Sequence, residues 1–325
     1  MIDRKYSVLI TPAGSGMAVA AIKSLKRDSK IRVISADVNQ LAPGLFLSDR
    51  GYTIPSFTSE KFYETIIHII REEKIDVIIP ALDTILFDFS NKKGYFEEYN
   101  VNVLVSEPKT IEITRDKWKT YNEFKDVIPL PKSSIDIENI DIDFPMFIKP
   151  RAGSGSKFAY KINSQEELNF FYNRINEPII QEYLEGKEYT VDCLADKNGK
   201  LLVNIPRERI EVKAGITVKG RIVENDDLRD MAHKITKKLK FCGPFFFQAK
   251  EDSNGVPKLT EINARISGTM SLSTAAGINI HSLAVRLFMG EEIKIPNIRY
   301  GVYISRYWED IYLNENEIKT MLRGK

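Results

Sequence analysis

Histidine and cysteine are the scarcest chemistry-bearing residues in these 325 residues, with three of the former and two of the latter. No two of His68, His233 and His281 stand at metal-ligand spacing, which argues against histidine zinc sites and serine-type triads. Cys193 and Cys242 are too few for a disulfide framework or a four-cysteine zinc site, and a reducing cytoplasm is the simplest expectation. No apolar run approaches the roughly 20 residues of a spanning helix, and the opening Met1–Ile10 is too short and too interrupted for a secretory signal. No membrane role is expected. Forty-seven basic residues against 45 acidic leave a net charge of +2, without the electrostatic footprint of a general nucleic-acid binder. A Gly-Lys-Ser/Thr phosphate loop is also missing.

What is present is an alternation. Apolar runs at Tyr6–Ile10, Ile31–Ala36, Asp76–Ile79 and Val101–Val105 read as buried strands. Between them, Ser15–Lys26 and the Phe62, Ile66, Ile69, Ile70 stripe read as helices. Strands alternating with helices of this length predict βαβ units on a parallel sheet. After Glu107-Pro108 the pattern changes to α+β. A helix over Asp116–Phe124 is followed by strands at Phe144–Pro150, Lys157–Ile162 and Ile179–Tyr183, with a helix from Ser164, where Glu167 completes a capping box. From Gly186 strands dominate, interrupted by helices over about 226–239 and 280–289.

The most informative stretch is Phe245–Arg265. Asn254-Gly255 between two β-patterned runs is a strong hairpin signal. With those two as the loop residues, Gln248 lies opposite Glu261. The period of two puts Glu261, Asn263 and Arg265 on one face, with Phe247, Ile262 and Ala264 on the other. Such a face suits Mg²⁺, which takes a few protein oxygens and fills its octahedron with phosphates and water; the bland alternative is a solvated sheet face. The loop Arg151–Ser156 follows a strand that ends in Lys149. Its Gly153 and Gly155 permit close phosphate approach, and Ser154 and Ser156 add donors; an ordinary turn is the alternative. The backbone near Glu182–Leu184 could meet an adenine edge and Glu188 could reach ribose, although alone this stretch reads better as an ordinary strand and turn.

Taken in order, Lys117, Lys149 with its Gly/Ser loop, Gln181–Glu188, and Gln248 with Glu261-Ile-Asn263-Ala-Arg265 resemble the ATP-grasp superfamily, in particular single-module relatives of the carbamoyl-phosphate synthase large subunit. The resemblance covers essentially the whole chain. It implies a Rossmann-like α/β domain over 1–113, a small α+β lid over 114–183, and a large α+β subdomain over 184–325 carrying the metal and acceptor site. It also implies ATP with Mg²⁺ or Mn²⁺. Lys117 and Lys149 would contact phosphates; Glu182, Tyr183 and Leu184 would form the adenine hinge; Glu188 would hold ribose; Gln248, Glu261 and Asn263 would hold the metal. Arg265, with Lys149, would serve the transferred phosphoryl group. Many relatives carry an acid where this chain has Gln248; the carbamoyl-phosphate-synthase-like branch uses glutamine.

The expected activity is a ligase that phosphorylates a carboxylate and lets an amine or ammonia capture the acyl phosphate, releasing ADP and phosphate. Its partners would be small carboxylate and amine substrates, with a homodimer allowed. Three alternatives stay open. One is carbamoyl-phosphate-synthase-like use of bicarbonate and ammonia; another is a non-catalytic ATP-binding regulator. The third is an NAD-dependent oxidoreductase, prompted by Thr11–Gly16 after the first strand with Asp37 after the second, where a substrate-facing turn is the preferred reading. Asp83, at the end of a strand, is a candidate for an amino group or a helix cap. Arg207, Arg209 and the Ser267–Ser271 loop are candidates for the acceptor.

Overall fold

The computed structural model describes residues 5–318 except 154, 156 and 317. Its strands form three sheets, each drawn from one continuous stretch of chain. The first is parallel: β1 (Tyr6–Thr11), β2 (Ile31–Asp37), β3 (Arg50–Thr53), β4 (Val77–Pro80) and β5 (Asn102–Val103), in the order β3-β2-β1-β4-β5. Its central strands are apolar almost throughout because both faces are covered; Val8, Leu9, Ile10, Val33 and Ile34 have no exposed surface. The short β3 is not legible as an apolar run, since Arg50-Gly-Tyr-Thr53 buries only its middle.

The second sheet is antiparallel and small: β6 (Ser133–Ser134), β7 (Met146–Pro150), β8 (Tyr160–Ile162) and β9 (Pro178–Glu182), in the order β6-β9-β7-β8. The helix Gln165–Tyr172 covers it and starts as expected. Ser164 Oγ accepts from Glu167 N at 3.3 Å, while the Glu167 carboxylate reaches back to Asn163 N at 2.8 Å, one residue earlier than in the usual box. The third sheet is antiparallel and six-stranded: β10 (Glu188–Ala195), β11 (Leu201–Lys213), β12 (Ile216–Ile222), β13 (Gly243–Glu251), β14 (Pro257–Asn263) and β15 (Tyr303–Ser305), in the order β14-β13-β10-β11-β12-β15. β15 stops at Ser305, and Tyr307 and Trp308 after it are largely exposed.

Core packing separates these sheets into unequal partners. Two clusters join the first sheet to the third: Leu9, Ile34 and Ile78 pack in one cluster with Tyr189, Val191, Phe245 and Phe247, and Val8, Val33 and Ile79 in the other with Leu194 and Ile205. The small sheet keeps a core of its own, Met146, Ile148, Ile162, Leu168, Ile175 and Ile180. A unit with a private core can tilt as a body without breaking the shared one. No helix among the described residues is long and apolar enough to cross a membrane.

Candidate active site

The β13–β14 hairpin sets the oxygen donors. Gln248 pairs with Glu261, as the sequence predicts, but the route differs. Near the turn the register is one residue short: Glu251 faces Pro257 and Ala249 faces Leu259, because the loop is wider than Asn254-Gly255 and closes through Asp252 and Val256. An irregularity beside Thr260 absorbs the extra residue and restores Gln248 to Glu261, Phe247 to Ile262 and Phe246 to Asn263. Thr190 of β10 stands opposite Gln248, and Arg207 of β11 stands opposite Thr190, so one row across the sheet reads Glu261, Gln248, Thr190, Arg207.

A cleft between the second and third sheets gathers most of the expected residues. Lys117, Lys149, Gly153, Gly155, Glu182, Tyr183, Leu184, Glu188, Gln248 and Glu261 all line it. Ser154 and Ser156 lie outside the described residues. Lys117 is set by a local device: Asp116 caps the helix Lys117–Phe124 by accepting from Trp118 N and Lys119 N, and Arg151 clamps the same carboxylate at 2.5 and 3.2 Å. These bonds hold the Asp116 carboxyl below its usual range despite partial burial. Arg151, the first residue of the Gly/Ser loop, is therefore a fastener, and Lys117 Nζ lies 3.4 Å from the carbonyls of Arg151 and Gly153.

Lys149 is the next-to-last residue of β7 and has its ammonium in the cleft, 3.4 Å from the Thr260 carbonyl. Burial and the nearby Lys117 charge pull it from the ordinary lysine value down to about 7, against the opposing pull of Glu261 and Glu188. Neither Glu261 nor Gln248 has an ion pair or side-chain hydrogen bond among the described residues. An underprotonated buried lysine beside an unpaired carboxylate and amide is the electrostatics of a site awaiting a polyanion and a cation.

The hinge region is partly committed. Glu182 N donates to Lys132 O, and the Glu182 carboxylate accepts from Lys132 N and pairs with Lys258 of β14, fastening the small sheet to the large one. Tyr183–Glu185 is irregular and forms no backbone–backbone hydrogen bond among the described residues. Glu188 pairs with Arg209 at 2.9 Å, so ribose contact has to share that carboxylate.

Asn263 and Arg265 do not line the cleft. Arg265 is engaged bidentately by Asp83 at 2.6 Å for both bonds, and Asn263 Oδ1 lies 3.5 Å from the same guanidinium. Asp83, the first residue of the helix Asp83–Asn91 that follows β4, is thus the partner of Arg265 rather than a helix cap, since Leu82 occupies the cap position. No group of three or more His, Cys, Asp or Glu among the described residues could hold a metal by itself. The donor set is one carboxylate and one amide, which fits a magnesium ion that takes most of its oxygens from phosphate and water.

Sequence reasoning missed several cleft residues. Phe147, Lys157, Gln181 and Lys250 also line it. Phe147 and Tyr183 face each other with centroids 6.5 Å apart, and Lys250 sits 5.3 Å over the Tyr183 ring. Lys250 was legible: it lies two residues beyond Gln248 on the same strand face.

Two other candidates turn out to be structural. Asp37 Oδ2 accepts from Ala13 N at 2.8 Å and Gly14 N at 2.7 Å, and its Oδ1 accepts from Asn39 N. The carboxylate that would bind a dinucleotide ribose is consumed by its own turn. Ser267, in the candidate acceptor loop, donates to Asp192 at 2.8 Å and bonds Arg207 at 3.0 Å inside a buried network. His281 is wholly buried in the helix Ile280–Phe288, and burial pushes it down to about 4, so it stays neutral.

Residues 174–308 match the family described as ATP-grasp in the biosynthetic pathway with Ter operon, and residues 8–104 match the PylC-like N-terminal domain. A carbamoyl-phosphate synthase of Methanobrevibacter smithii is 24% identical over 276 residues, covering 78% of this chain and 73% of the relative. The carbamoyl phosphate synthase large chain of an Arthrobacter species is 26% identical over 317 residues, covering 85% of this chain but 28% of its own length. This chain thus spans little more than a quarter of such large chains. The biotin carboxylase domain dimer of Hydrogenobacter thermophilus 2-oxoglutarate carboxylase, solved with MgADP, ADP and bicarbonate, superposes with a TM-score of 0.73 at 19% identity, over 91% of this chain and 73% of that one.

Proposed function

The chain belongs to the ATP-grasp superfamily, and from that premise we propose that it is an ADP-forming carboxylate–amine ligase working in the cleft between its second and third sheets. One carboxylate oxygen attacks the γ-phosphorus of ATP, the bond to the β–γ bridging oxygen breaks, and ADP leaves. An amine then attacks the acyl carbon and expels phosphate. The supporting observation is the convergence of Lys117 and Lys149 from the small-sheet side with Gln248 and Glu261 from the large sheet on one cleft.

In this reading Lys117 and Lys149 bind the phosphates, and Lys149 regains its full charge as the polyanion arrives. Phe147, Tyr183 and Leu184 flank the base, with free peptide groups at 183–185 offered to its edge. Glu188 shares its carboxylate between Arg209 and the ribose. Gln248 and Glu261 would hold Mg²⁺, which would neutralise phosphate charge when bound; Asn263 would complete that set only by leaving Arg265. Arg265, oriented by Asp83, is the candidate for the acceptor end. Gly153 and Gly155 let the loop close over phosphate, and the small sheet with its own core serves as the lid that keeps water from the acyl phosphate. The reaction needs positioning and charge rather than a histidine base.

A homodimer and a cytoplasmic setting accord with this chemistry. The test is ADP release measured against pooled carboxylates with amino acids as amines, beside bicarbonate with ammonia. Release dependent on both an organic acid and an amine supports the ligase. Release with bicarbonate and ammonia alone moves the assignment to the carbamoyl-phosphate reaction, and MgATP binding with no release in any pool leaves a nucleotide-binding regulator.

A further inference from the structure

The same sheet face continues past the cleft into a region whose donors outnumber its acceptors. Arg207, 2% exposed, is held by Asp192 at 2.9 and 3.1 Å and by Ser267, yet its Nη1 is buried without a partner among the described residues. Thr217, 1% exposed, has an unpartnered hydroxyl, and a Cβ on Gly220 would meet the Thr217 methyl at 2.9 Å, which turns Thr217 toward the face of Arg209 and Arg207. Arg306, two residues beyond Ile304, falls on that face as well. Its Nη2 donates to the Gly268 carbonyl and its Nε is buried without a partner.

Charge tells the same story. Asp192 pairs with Arg207, Glu188 with Arg209 and Asp83 with Arg265. Arg306 has no acid partner among the described residues, and it lies near enough to Arg207 that burial and that like charge together lower its pKa. Arg306 is half-buried, and a cation drawn partly out of water without an acid partner is costly. Two strand spacings, roughly 10 Å, separate Arg207 from Gln248 along the row through Thr190.

We propose that Arg306, Arg207 Nη1 and Thr217 receive a second anionic group of the acid substrate, so that the ligase acts on an organic dianion whose far charge sits several bonds from the carboxylate that is phosphorylated. This rests on the ligase reading above and narrows it: a small single anion such as bicarbonate cannot span from the Gln248–Glu261 pair to these donors. Arg207 and Thr217 are buried, while Arg306 is only half-buried.

The probes are α,ω-dicarboxylates from succinate to pimelate, each beside the monocarboxylate of equal chain length, read as thermal shifts with and without MgADP. At least one diacid should raise the melting temperature of the wild-type protein where its matched monoacid does not. Arg306→Gln and Thr217→Val should each weaken that diacid by roughly tenfold or more, with the MgADP shift retained and the ligand-free melting temperature of Arg306→Gln no lower than wild type. Equal shifts for diacid and monoacid, including none for either, overturn the proposal, as does undiminished diacid binding in both variants. A missing MgADP shift in the wild type instead defeats the ligase reading while leaving the diacid comparison readable.

Discussion

Two glycine–serine loops leave strand ends in this molecule, Thr11–Gly16 after β1 and Arg151–Ser156 after β7, and they differ in what their surroundings still offer. At the first, Asp37 spends both oxygens on peptide N–H groups at Ala13, Gly14 and Asn39. At the second, the neighbouring Lys149, Gln248 and Glu261 have no ion pair and no side-chain-to-side-chain hydrogen bond among the described residues. A loop that resembles a phosphate binder is distinguished by whether its charged neighbours are already satisfied. The first is a fastened turn; the second borders a site with charge to give.

The largest effect should come from Glu261→Gln. Shape is conserved and no ion pair is lost, so folding should hold, while ADP release on the true substrates should fall by about a thousandfold or more. Turnover within a few-fold of wild type would mean that the carboxylate carries no metal. Glu251, at the end of the partner strand β13, is a poor control, because its carboxylate accepts from Tyr189 Oη at 2.6 Å and from Lys187 N.

Lys149 should make nucleotide binding depend on pH. Its value near 7 in the free protein means that binding a polyanion draws in a proton above that pH, so MgADP affinity should fall with rising pH by up to about tenfold per unit. The fold itself should respond in the opposite sense. A lysine depressed from 10.5 to about 7 binds fewer protons folded than unfolded, so its penalty on stability is full below pH 7 and fades between 7 and 10.5. Calorimetry across pH 6 to 9 reads the first effect; a flat profile would place the ammonium away from the phosphates.

Asp37→Ala should act on stability alone. The N–H groups of buried Ala13 and of exposed Gly14 and Asn39 lose their acceptor, which costs roughly 1–2 kcal/mol, measurable by urea unfolding, with MgADP affinity unchanged. A loss of nucleotide binding at normal stability would move the site to the first loop.

Much of this was readable from the chain. Apolar runs marked β1, β2 and β4 because both faces of a parallel sheet are buried, and the hairpin placed Gln248 against Glu261. That register was reached through two errors that cancel, a wider turn and an irregularity at Thr260, because loop width is not written in Asn-Gly alone. The family resemblance brought Lys117 and the hinge residues forward. What periodicity hides is who satisfies whom: nothing in spacing says that Asp83 clamps Arg265 across 182 positions, that Arg151 serves Asp116, or that Ser267 belongs to Asp192. Those pairings arise where the third sheet packs on the first and where the small sheet meets the helix after Asp116, and only tertiary structure shows them.

The most direct measurement is a calorimetric titration of MgADP into the wild-type protein, Lys149→Ala and Asp37→Ala at pH 6.5. One site per chain is predicted in the wild type and in Asp37→Ala, with binding weakened at least about tenfold in Lys149→Ala. Binding retained in Lys149→Ala but lost in Asp37→Ala would contradict the account.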